Sequence, residues 1–208
     1  MTVLVGCEES QAVTIEFDKL GHNARSCDIQ EASGDRPDLH IKGDIFHVLM
    51  STTYSFGIDL FIGHPPCTYL ANSGVRWLYN KDGSVNKDRW EKMEEAAIFF
   101  RSLLHVNSER ICLENPIMHK HALKIIGVKQ TQIIQPWQFG HGETKATCLW
   151  LKGLPNLIPT DIVDGREQKM WKLPPTPDRQ KLRSKTYPGI AKAMAEQWGG
   201  LLIKNKVA

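Results

Sequence analysis

The sequence has no CxxC pair and an odd number of cysteines, five in 208 residues. Common zinc motifs contain CxxC pairs, and a disulfide framework normally uses an even number of cysteines. We therefore expect reduced thiols in a cytoplasmic compartment. No apolar run is long enough to span a membrane, and the first residues lack the basic and apolar stretches of a signal peptide. We therefore expect a cytoplasmic protein without a membrane partner.

The charge and composition of the chain exclude fewer classes of protein than these absences do. The formal charge of +3, with 41% hydrophobic and 24% charged residues, is ordinary for a globular protein. The small positive excess permits a polyanionic partner without requiring one. The length corresponds to one domain, and no internal repeat is present, so residues 1–208 are expected to form a single domain.

One proline-containing loop organises the chain. Residues 59–62 are apolar and β-prone, which predicts a buried strand. Gly63 frees the backbone after it, and Pro65 and Pro66 stiffen the loop that carries Cys67 at its tip. In open α/β sheets, ligands bind at the carboxyl ends of the strands. Cys67 is thus either a candidate nucleophile or a small buried residue under a proline turn.

The first thirty residues have the pattern of half a nucleotide-binding unit. Residues 2–5 predict a strand, residues 12–20 a helix and residues 23–29 a second strand that ends near Asp28. An acid at that position can accept hydrogen bonds from a ribose. The usual three-glycine fingerprint is absent from the first loop, and a second acid, Asp44, falls at the same expected edge.

A second strand ends in a polar group. Residues 110–113 predict a strand that Glu114-Asn115-Pro116 leaves abruptly. A glutamate just past a buried strand is poorly solvated, so we expect its pKa to be raised and Glu114 to take part in proton transfer. A solvated loop acid is the alternative.

The remaining chain predicts elements that cover this edge. Residues 75–90 are expected to form a mobile loop able to close over a substrate, and residues 89–105 the clearest helix. A strand over residues 144–152 carries Lys145 at its start. Residues 155–185 are expected to be an extended basic linker or flap, and residues 186–208 a closing helix.

Four cations in the flap alternate with other residues at period two: Arg179, Lys181, Arg183 and Lys185. In an extended segment all four would project from one face. Such a row of cations suits a phosphate backbone. A solvated basic loop is the equally simple alternative.

Together these motifs resemble the cytosine-5 DNA methyltransferase family. The segment from Gly63 to Gly74 resembles its nucleophile loop, and Glu114-Asn115-Pro116 its glutamate-asparagine signature, with proline in place of valine. The segment from Ser184 to Ala193 resembles the closing motif, with serine in place of asparagine. The likeness follows the family's order over most of the chain. The chain is also similar to short proteins encoded by bacteriophages and prophages, which implies a bacterial host cell.

The resemblance implies an α/β, Rossmann-like methyltransferase fold, with a mostly parallel central sheet and helices on both faces. It implies S-adenosyl-methionine as cofactor, DNA (single-stranded or duplex) as substrate, and Cys67, Glu114 and Lys145 as catalytic residues. The implied cofactor-binding residues are Gly6, Cys7, Glu8, Ser10, Asp28, Ile29, Asp44, Ile45, His64, Pro65, Ser184 and Thr186. The implied nucleic-acid contacts are Asn72, Arg76, Arg179, Lys181, Arg183 and Lys185.

Two departures from the family leave alternatives open. Only about three dozen residues separate the Lys145 strand from the closing motif, too few for an ordinary base-reading domain. Sequence selectivity is then low, or a separate protein supplies it, or the substrate is not duplex DNA. The first loop lacks the family's glycines, which also allows an inactive nucleic-acid-binding module. An amino-group DNA methyltransferase is a further alternative, whereas the Cys and His spacings disfavour a metal site.

Overall fold

The computed structural model describes residues 1–51, 57–172, 174, 176 and 179–200, with side chains omitted at 170, 171, 180 and 181. The strands of the described chain are β1 Thr2–Gly6, β2 Asn23–Asp28, β3 His40–Lys42, β4 Leu60–Gly63, β5 Ile111–Pro116, β6 Gln132–Ile134 and β7 Thr147–Lys152. Its α-helices are α1 Ala12–Lys19, α2 Ile45–Leu49, α3 Lys87–Leu103, α4 Lys120–Ile126, α5 Lys169–Lys172, α6 Arg179–Ser184 and α7 Pro188–Gly199. Short 3-10 helices lie at Pro37–Leu39, Asn72–Leu78 and Pro136–Gln138.

These strands form one seven-stranded sheet in the order β3-β2-β1-β4-β5-β7-β6. The first five strands in this order pair in parallel, and β7 is antiparallel to both of its neighbours. The predicted mostly parallel α/β sheet is therefore confirmed. The direction of strand addition reverses between β1 and β4, and this reversal opens a crevice at their carboxyl ends.

The sheet is covered on both faces, as predicted, because side chains alternate along each strand. Val3 and Val5 belong to a core that includes Trp198 of α7, whereas Leu4 belongs to a second core that includes Phe100 of α3. All five side chains are fully buried. Both faces of β1 are thus covered, and its carboxyl end remains the part that faces outward from the two cores.

The helix predicted over residues 89–105 is present as α3. Its buried residues recur at helical spacing and are Met93, Ala97, Phe100 and Leu103. The side chain of Asn86 accepts a hydrogen bond from the Arg89 amide at 3.1 Å and begins the helix. This cap places Arg89 in the first turn, beside the proline loop.

The prediction that the chain leaves the sheet at Glu114 is wrong. Strand β5 continues to Pro116 because β7 pairs with it along its whole length, with Glu114 opposite Leu149. Glu114 is therefore a strand residue, and its backbone is paired with β7. Strand β7 begins at Thr147, so Lys145 precedes the strand instead of starting it.

The extended basic row is also wrong, because Arg179–Ser184 forms helix α6. Residues two apart on a helix point about 200° apart, so alternate positions do not lie along one face of α6, and Lys185 lies beyond its end. The predicted flap over residues 155–185 accordingly contains two short helices and is anchored by Leu157, which is 2% exposed. The loop predicted from residue 75 begins as the 3-10 helix Asn72–Leu78, whose Leu78 is buried.

Helix α7 confirms the position of the closing helix up to Gly199; the last eight residues, 201–208, lie outside the described part. Gly189, in its first turn, packs against the chain at Phe139. A Cβ at position 189 would lie 1.8 Å from the Phe139 carbonyl oxygen. The helix can dock there only because this residue has no side chain.

Gly189→Ala is expected to lower the free energy of unfolding by about 1–3 kcal/mol, because backbone must move to relieve the overlap. Urea denaturation followed by circular dichroism measures the change. Gly200→Ala is the matched control, since a Cβ there meets no atom within 4 Å. Equal midpoints for the two variants would contradict the packing described.

Candidate active site

The candidate site lies where β1, β4 and β5 end side by side. The His64 amide donates to the Gly6 carbonyl at 2.9 Å, which joins the loops that follow β1 and β4. Cys67 lies four residues after β4, and Glu114 lies within β5. The parallel register of these strands therefore brings the predicted nucleophile loop and the predicted acid to one edge.

The chain that follows Glu114 holds the nucleophile loop in place. The side-chain amide of Asn115 donates to the Pro65 carbonyl at 2.7 Å. Further along, the Asn72 amide donates to the Ile117 carbonyl at 2.8 Å, and the His119 amide donates to the Leu70 carbonyl at 3.1 Å. The loop is thus attached before and after Cys67, so the position of the thiol is set by β5 and its extension.

Arg89 of α3 attaches the loop from the other side. Its guanidinium donates to the Thr68 carbonyl at 2.8 Å and lies 4.3 Å from the centre of the Tyr69 ring. Sequence reasoning missed both Arg89 and Asn115 as supports. The position of Asn115 next to Glu114 could have indicated its role, whereas no local sequence feature distinguishes Arg89 from the other cations.

His64 and Glu114 form a buried ion pair. Nδ1 of His64 donates to Oε2 of Glu114 at 3.1 Å, and their side chains are 8% and 12% exposed. Burial alone lowers the pKa of His64, but the hydrogen bond to Glu114 and the charges of Glu114 and Glu8 outweigh it and leave this pKa raised. A protonated imidazole is thus stabilised at the end of β4.

The pKa of Glu114 is lowered, not raised as predicted. Burial by itself raises it, but the His64 hydrogen bond and the positive charges of Lys145 and His64 more than offset that effect. The correction has a simple cause: the sequence shows that the glutamate is buried, but not that it has a cationic partner. Glu114 is therefore ionised at neutral pH.

Glu8 supports the first loop from within. Its carboxylate accepts hydrogen bonds from the Val13 amide at 2.6 Å and from the Thr14 hydroxyl at 2.7 Å, so it begins helix α1. Burial is the main cause of its raised pKa, and the positive charge of His64 partly opposes this. Glu8 thus lies within electrostatic reach of the His64–Glu114 pair.

Cys67 is exposed at the tip of its loop, although protein surrounds its thiol on several sides. This partial desolvation is the main cause of the raised pKa of Cys67, and the negative charge of Glu114 adds to it. The positive charges of Lys145 and Arg183 oppose both effects. The thiol is therefore neutral at rest, and a thiolate forms more easily as positive charge collects around it.

Lys145 connects the site with the closing motif. Its ammonium donates to the Arg183 carbonyl at 2.7 Å and lies 5.6 Å from the centre of the Tyr187 ring. The Tyr187 hydroxyl in turn donates to Glu143 at 2.6 Å. The structure thereby brings Lys145 and α6 toward Cys67, and Arg183 becomes part of the electrostatic surroundings of the thiol.

The predicted cofactor residues divide into exposed groups and packed ones. Asp28 ends β2, Asp44 is an exposed residue that begins α2 by accepting the Phe46 amide at 2.8 Å, and Ile29 is 73% exposed. Ile45, in contrast, is 4% exposed and packs beneath Gly6. Other packed positions are Gly6, Glu8, Pro65 and Thr186, while Ser10 is half-buried and Ser184 is exposed at the end of α6.

The donor set around the crevice fits S-adenosyl-methionine. The negative charges of Asp28 and Asp44 both act on Cys7, which places two carboxylates around the end of β1. Carboxylates there suit ribose hydroxyls and a cationic sulfonium. Cys7 and Gln11 both have positive φ, 58° and 57°, so the loop adopts the left-handed conformation at two positions that are not glycine.

The predicted nucleic-acid contacts lie in two places. Asn72 and Arg76 are exposed on the 3-10 helix that follows Cys67. Arg179 and Arg183 belong to α6, and Lys185 is exposed just after it. The side chain of Lys181 lies outside the described part.

The described ranges contain neither a metal cluster nor a membrane-spanning helix. No group of three His, Cys, Asp or Glu side chains there is arranged to hold a metal ion. In the same ranges, no helix has the length and apolar character needed to cross a membrane. All five cysteines fall within these ranges and are free thiols.

Comparison with known proteins gives a fold and no family. No family model and no curated protein matches the chain. A solved structure described as a DNA modification methyltransferase encoded within an E. coli prophage is similar at a TM-score of 0.50 and 14% identity, over 85% of this chain and 56% of that one. This likeness supports a methyltransferase-type fold. The chain spans a little over half the length of that structure.

Two other solved structures are more distant. A methyltransferase from Entamoeba histolytica, EhMeth, has a TM-score of 0.47 and 16% identity, over 79% of this chain and 57% of that one. The S. pombe Dnmt2 methyltransferase has a TM-score of 0.40 and 13% identity, over 83% of this chain and 53% of that one.

Proposed function

We propose that this chain is an S-adenosyl-methionine-dependent methyltransferase that modifies carbon 5 of cytosine in DNA through a covalent bond to Cys67. One observation carries the proposal. A rigidly attached loop presents the exposed Cys67 thiol within electrostatic reach of Glu114 and Lys145, at the switch-point edge of a methyltransferase-type sheet. This reaction requires a thiol that attacks the ring, a group that stabilises the charge on the ring nitrogens, and a nearby cation.

The chemistry begins at Cys67. Its thiolate adds to carbon 6 of cytosine, and the electron pair of the 5–6 double bond becomes available at carbon 5. S-adenosyl-methionine, when bound, would supply the methyl group: carbon 5 would form the new bond with this electron pair, and the carbon–sulfur bond would break to release the neutral thioether. Loss of the carbon 5 proton to water, followed by elimination of the thiolate, restores the aromatic ring and frees Cys67.

Glu114 and His64 act on the opposite edge of the ring. Addition at carbon 6 builds negative charge on ring nitrogen 3, which then requires a proton. Glu114 is ionised and holds a proton poorly, whereas His64, with its raised pKa, carries one 3.1 Å away. The pair shares this proton, delivers it to nitrogen 3 and recovers it when the thiolate is eliminated, while Glu114 also accepts a hydrogen bond from the exocyclic amino group.

Asp28, Asp44 and the loop after β1 would hold the cofactor. Asp28 closes the second strand of the first βαβ unit, the position from which an acid accepts ribose hydroxyls. Ile29 offers an exposed apolar side chain next to it. Cys7, Glu8 and Ser10 shape the loop that approaches the ligand through its backbone.

DNA is the proposed substrate, single-stranded or duplex, and a bacterial cytoplasm the proposed setting. The exposed Arg183 of α6 and a prophage-encoded structural neighbour support this assignment. The short segment between β7 and α7 leaves no room for an ordinary base-reading domain. We therefore also propose that a separate protein supplies sequence recognition where it is needed.

Methyl transfer from radiolabelled S-adenosyl-methionine tests the proposal. Duplex DNA, single-stranded DNA, RNA and free cytidine nucleotides are offered in parallel, with Cys67→Ser as the control. Label on carbon 5 of cytosine that disappears in the variant supports the proposal and identifies the polymer. Label on an exocyclic amino group that survives Cys67→Ser would instead indicate an amino-group methyltransferase. No label and no cofactor binding would indicate an inactive binding module.

The rate of transfer is expected to increase with pH in the neutral range. The pKa of Cys67 is raised, so the thiol is protonated at pH 7, and each unit below that pKa reduces the thiolate about tenfold. Glu114 stays ionised over this range because its pKa is lowered, and the raised pKa of His64 retains its proton to higher pH, so the rise ends where His64 loses that proton. Single-turnover rates between about pH 6.5 and pH 9.5 measure the profile.

Lys145→Met should displace this profile to higher pH, because it removes a positive charge that lowers the pKa of Cys67. Lys145→Arg keeps the charge and serves as the matched control. A profile that is flat, or that does not move in Lys145→Met, would contradict a rate set by thiol ionisation.

A further inference from the structure

An open groove lies beside the nucleophile loop, and the proposed chemistry does not use it. The groove has a volume of about 500 Å³ and is lined by Tyr69, Trp77, Asn86, Asp88, Arg89 and Lys92. We call it the Trp77 groove. Tyr69 belongs to the loop that carries Cys67, and Arg89 is hydrogen-bonded to the Thr68 carbonyl of the same loop. A chain lying in this groove would therefore lie next to the loop that carries Cys67.

Trp77 is the unusual feature of the groove. It is 54% exposed, although the neighbouring Leu78 is buried. The guanidinium of Arg76 lies over the Trp77 ring, 4.5 Å from its centre, and this contact occupies one ring face while the side chain as a whole stays exposed. An exposed indole next to a cation does little for the stability of a fold, but it provides a stacking surface for a planar ligand.

The charges around the groove indicate an anionic partner. Arg76, Arg89 and Lys92 contribute three cations, and Asp88 contributes the one carboxylate of the lining. Asp88 pairs with Lys92 at 3.0 Å, so it offsets one cation and leaves the two arginines. A guanidinium has five N–H donors, and the bond to Thr68 uses one of those of Arg89.

We propose that the Trp77 groove binds unpaired nucleotides of the substrate strand, with a base stacked on Trp77 and the adjoining phosphates held by Arg76 and Arg89. The inference rests on the proposed function and specifies its substrate as a strand that is single-stranded near the target cytosine. In a duplex, both faces of every base are covered by its neighbours, so an indole at the surface has no base to stack on.

Binding without cofactor tests the groove separately from the chemistry. Fluorescence anisotropy measures the affinity of a labelled cytosine-containing single strand, and of the same strand in a blunt duplex, at one fixed salt concentration. Trp77→Ala should weaken single-strand binding about tenfold, and Trp77→Phe, which retains a ring, less than about threefold. The exposed side chain of Ile158 lies outside the groove lining, so Ile158→Ala should change nothing. Thermal denaturation shows that each variant is folded.

A second pair of variants tests the contribution of the cations to single-strand binding. Arg76→Ala should weaken single-strand binding and reduce its salt dependence, whereas Lys124→Ala, an exposed cation on α4 outside the groove lining, should leave both nearly unchanged. Unchanged binding in Trp77→Ala, an equal loss on the duplex, or no single-strand binding by the unaltered protein would each overturn the proposal.

The same proteins are then assayed for methyl transfer at a single-strand concentration below the dissociation constant, where a weaker affinity lowers the rate. Loss of binding in Trp77→Ala, with transfer intact in the unaltered protein, supports both proposals. Trp77-dependent binding without transfer supports the groove and overturns the proposed function. Transfer that is insensitive to Trp77 overturns the groove alone.

Discussion

Replacing Cys67 by serine is expected to reduce methyl transfer at least about a thousandfold, as loss of a covalent nucleophile does in other enzymes. A serine hydroxyl is far less acidic than a thiol, and Lys145 and Arg183 cannot ionise it at neutral pH. Cys67 is exposed at the tip of its loop, so the substitution leaves the core unchanged. Single-turnover transfer of a labelled methyl group measures the loss.

The variant should still bind S-adenosyl-methionine with the affinity of the unaltered protein, which isothermal titration tests. Cys148→Ser is a matched control, because it makes the same atomic exchange at a buried thiol of β7. Cys148→Ser should lower the stability of the fold without removing a reacting group, so the folded variant should retain methyl transfer. Full transfer activity in Cys67→Ser would falsify the covalent mechanism.

Glu114→Gln is expected to have the next largest effect, a loss of about a hundredfold to a thousandfold in kcat with little change in KM for DNA. The amide retains the shape of the side chain but cannot take the His64 proton and pass it to the base. The amide N–H group would also face the exocyclic amine or His64, both of which donate hydrogen bonds to the carboxylate of Glu114. Steady-state kinetics over a range of DNA concentrations separates the two constants.

His64→Gln tests the other half of the pair. Glutamine can still donate to Glu114 but holds no ionisable proton, so we expect a loss in kcat of about tenfold to a hundredfold and a changed pH profile. His105→Gln is the control, since His105 is exposed and bonds only locally, to the Arg101 carbonyl at 2.8 Å. Transfer by Glu114→Gln at the unaltered rate, or a pH profile unmoved in His64→Gln, would rule out the shared proton.

The local parts of the site are those that sequence reasoning predicted well. The strand before Cys67, its glycine and its two prolines are encoded within a few residues, and each acts through its own backbone preferences. The structure has β4 at Leu60–Gly63 and an exposed Cys67 four residues later. The helix at α3 was predicted because a buried stripe repeats in the sequence itself.

Errors arose where distant segments decide the outcome. Glu114 stays in a strand because β7 pairs beside it, and its pKa is lowered because His64 donates to it. The alternation of charges from Arg179 to Lys185 predicted an extended row, but this segment folds as α6. Period-two charge says nothing about backbone conformation unless hydrophobic residues alternate with it.

Local sequence encodes the order of the strands, the rigid loop with Cys67 at its tip, and the acid that ends β2. Those features depend on residues close together in the chain, where propensity and turn chemistry act directly. Three features depend instead on the folded chain as a whole: His64 pairs with Glu114, Arg89 and Asn115 hold the loop, and Lys145 is bonded to α6. These contacts join residues far apart in sequence, and they exist because parallel strands with crossover helices bring remote segments to one edge of the sheet.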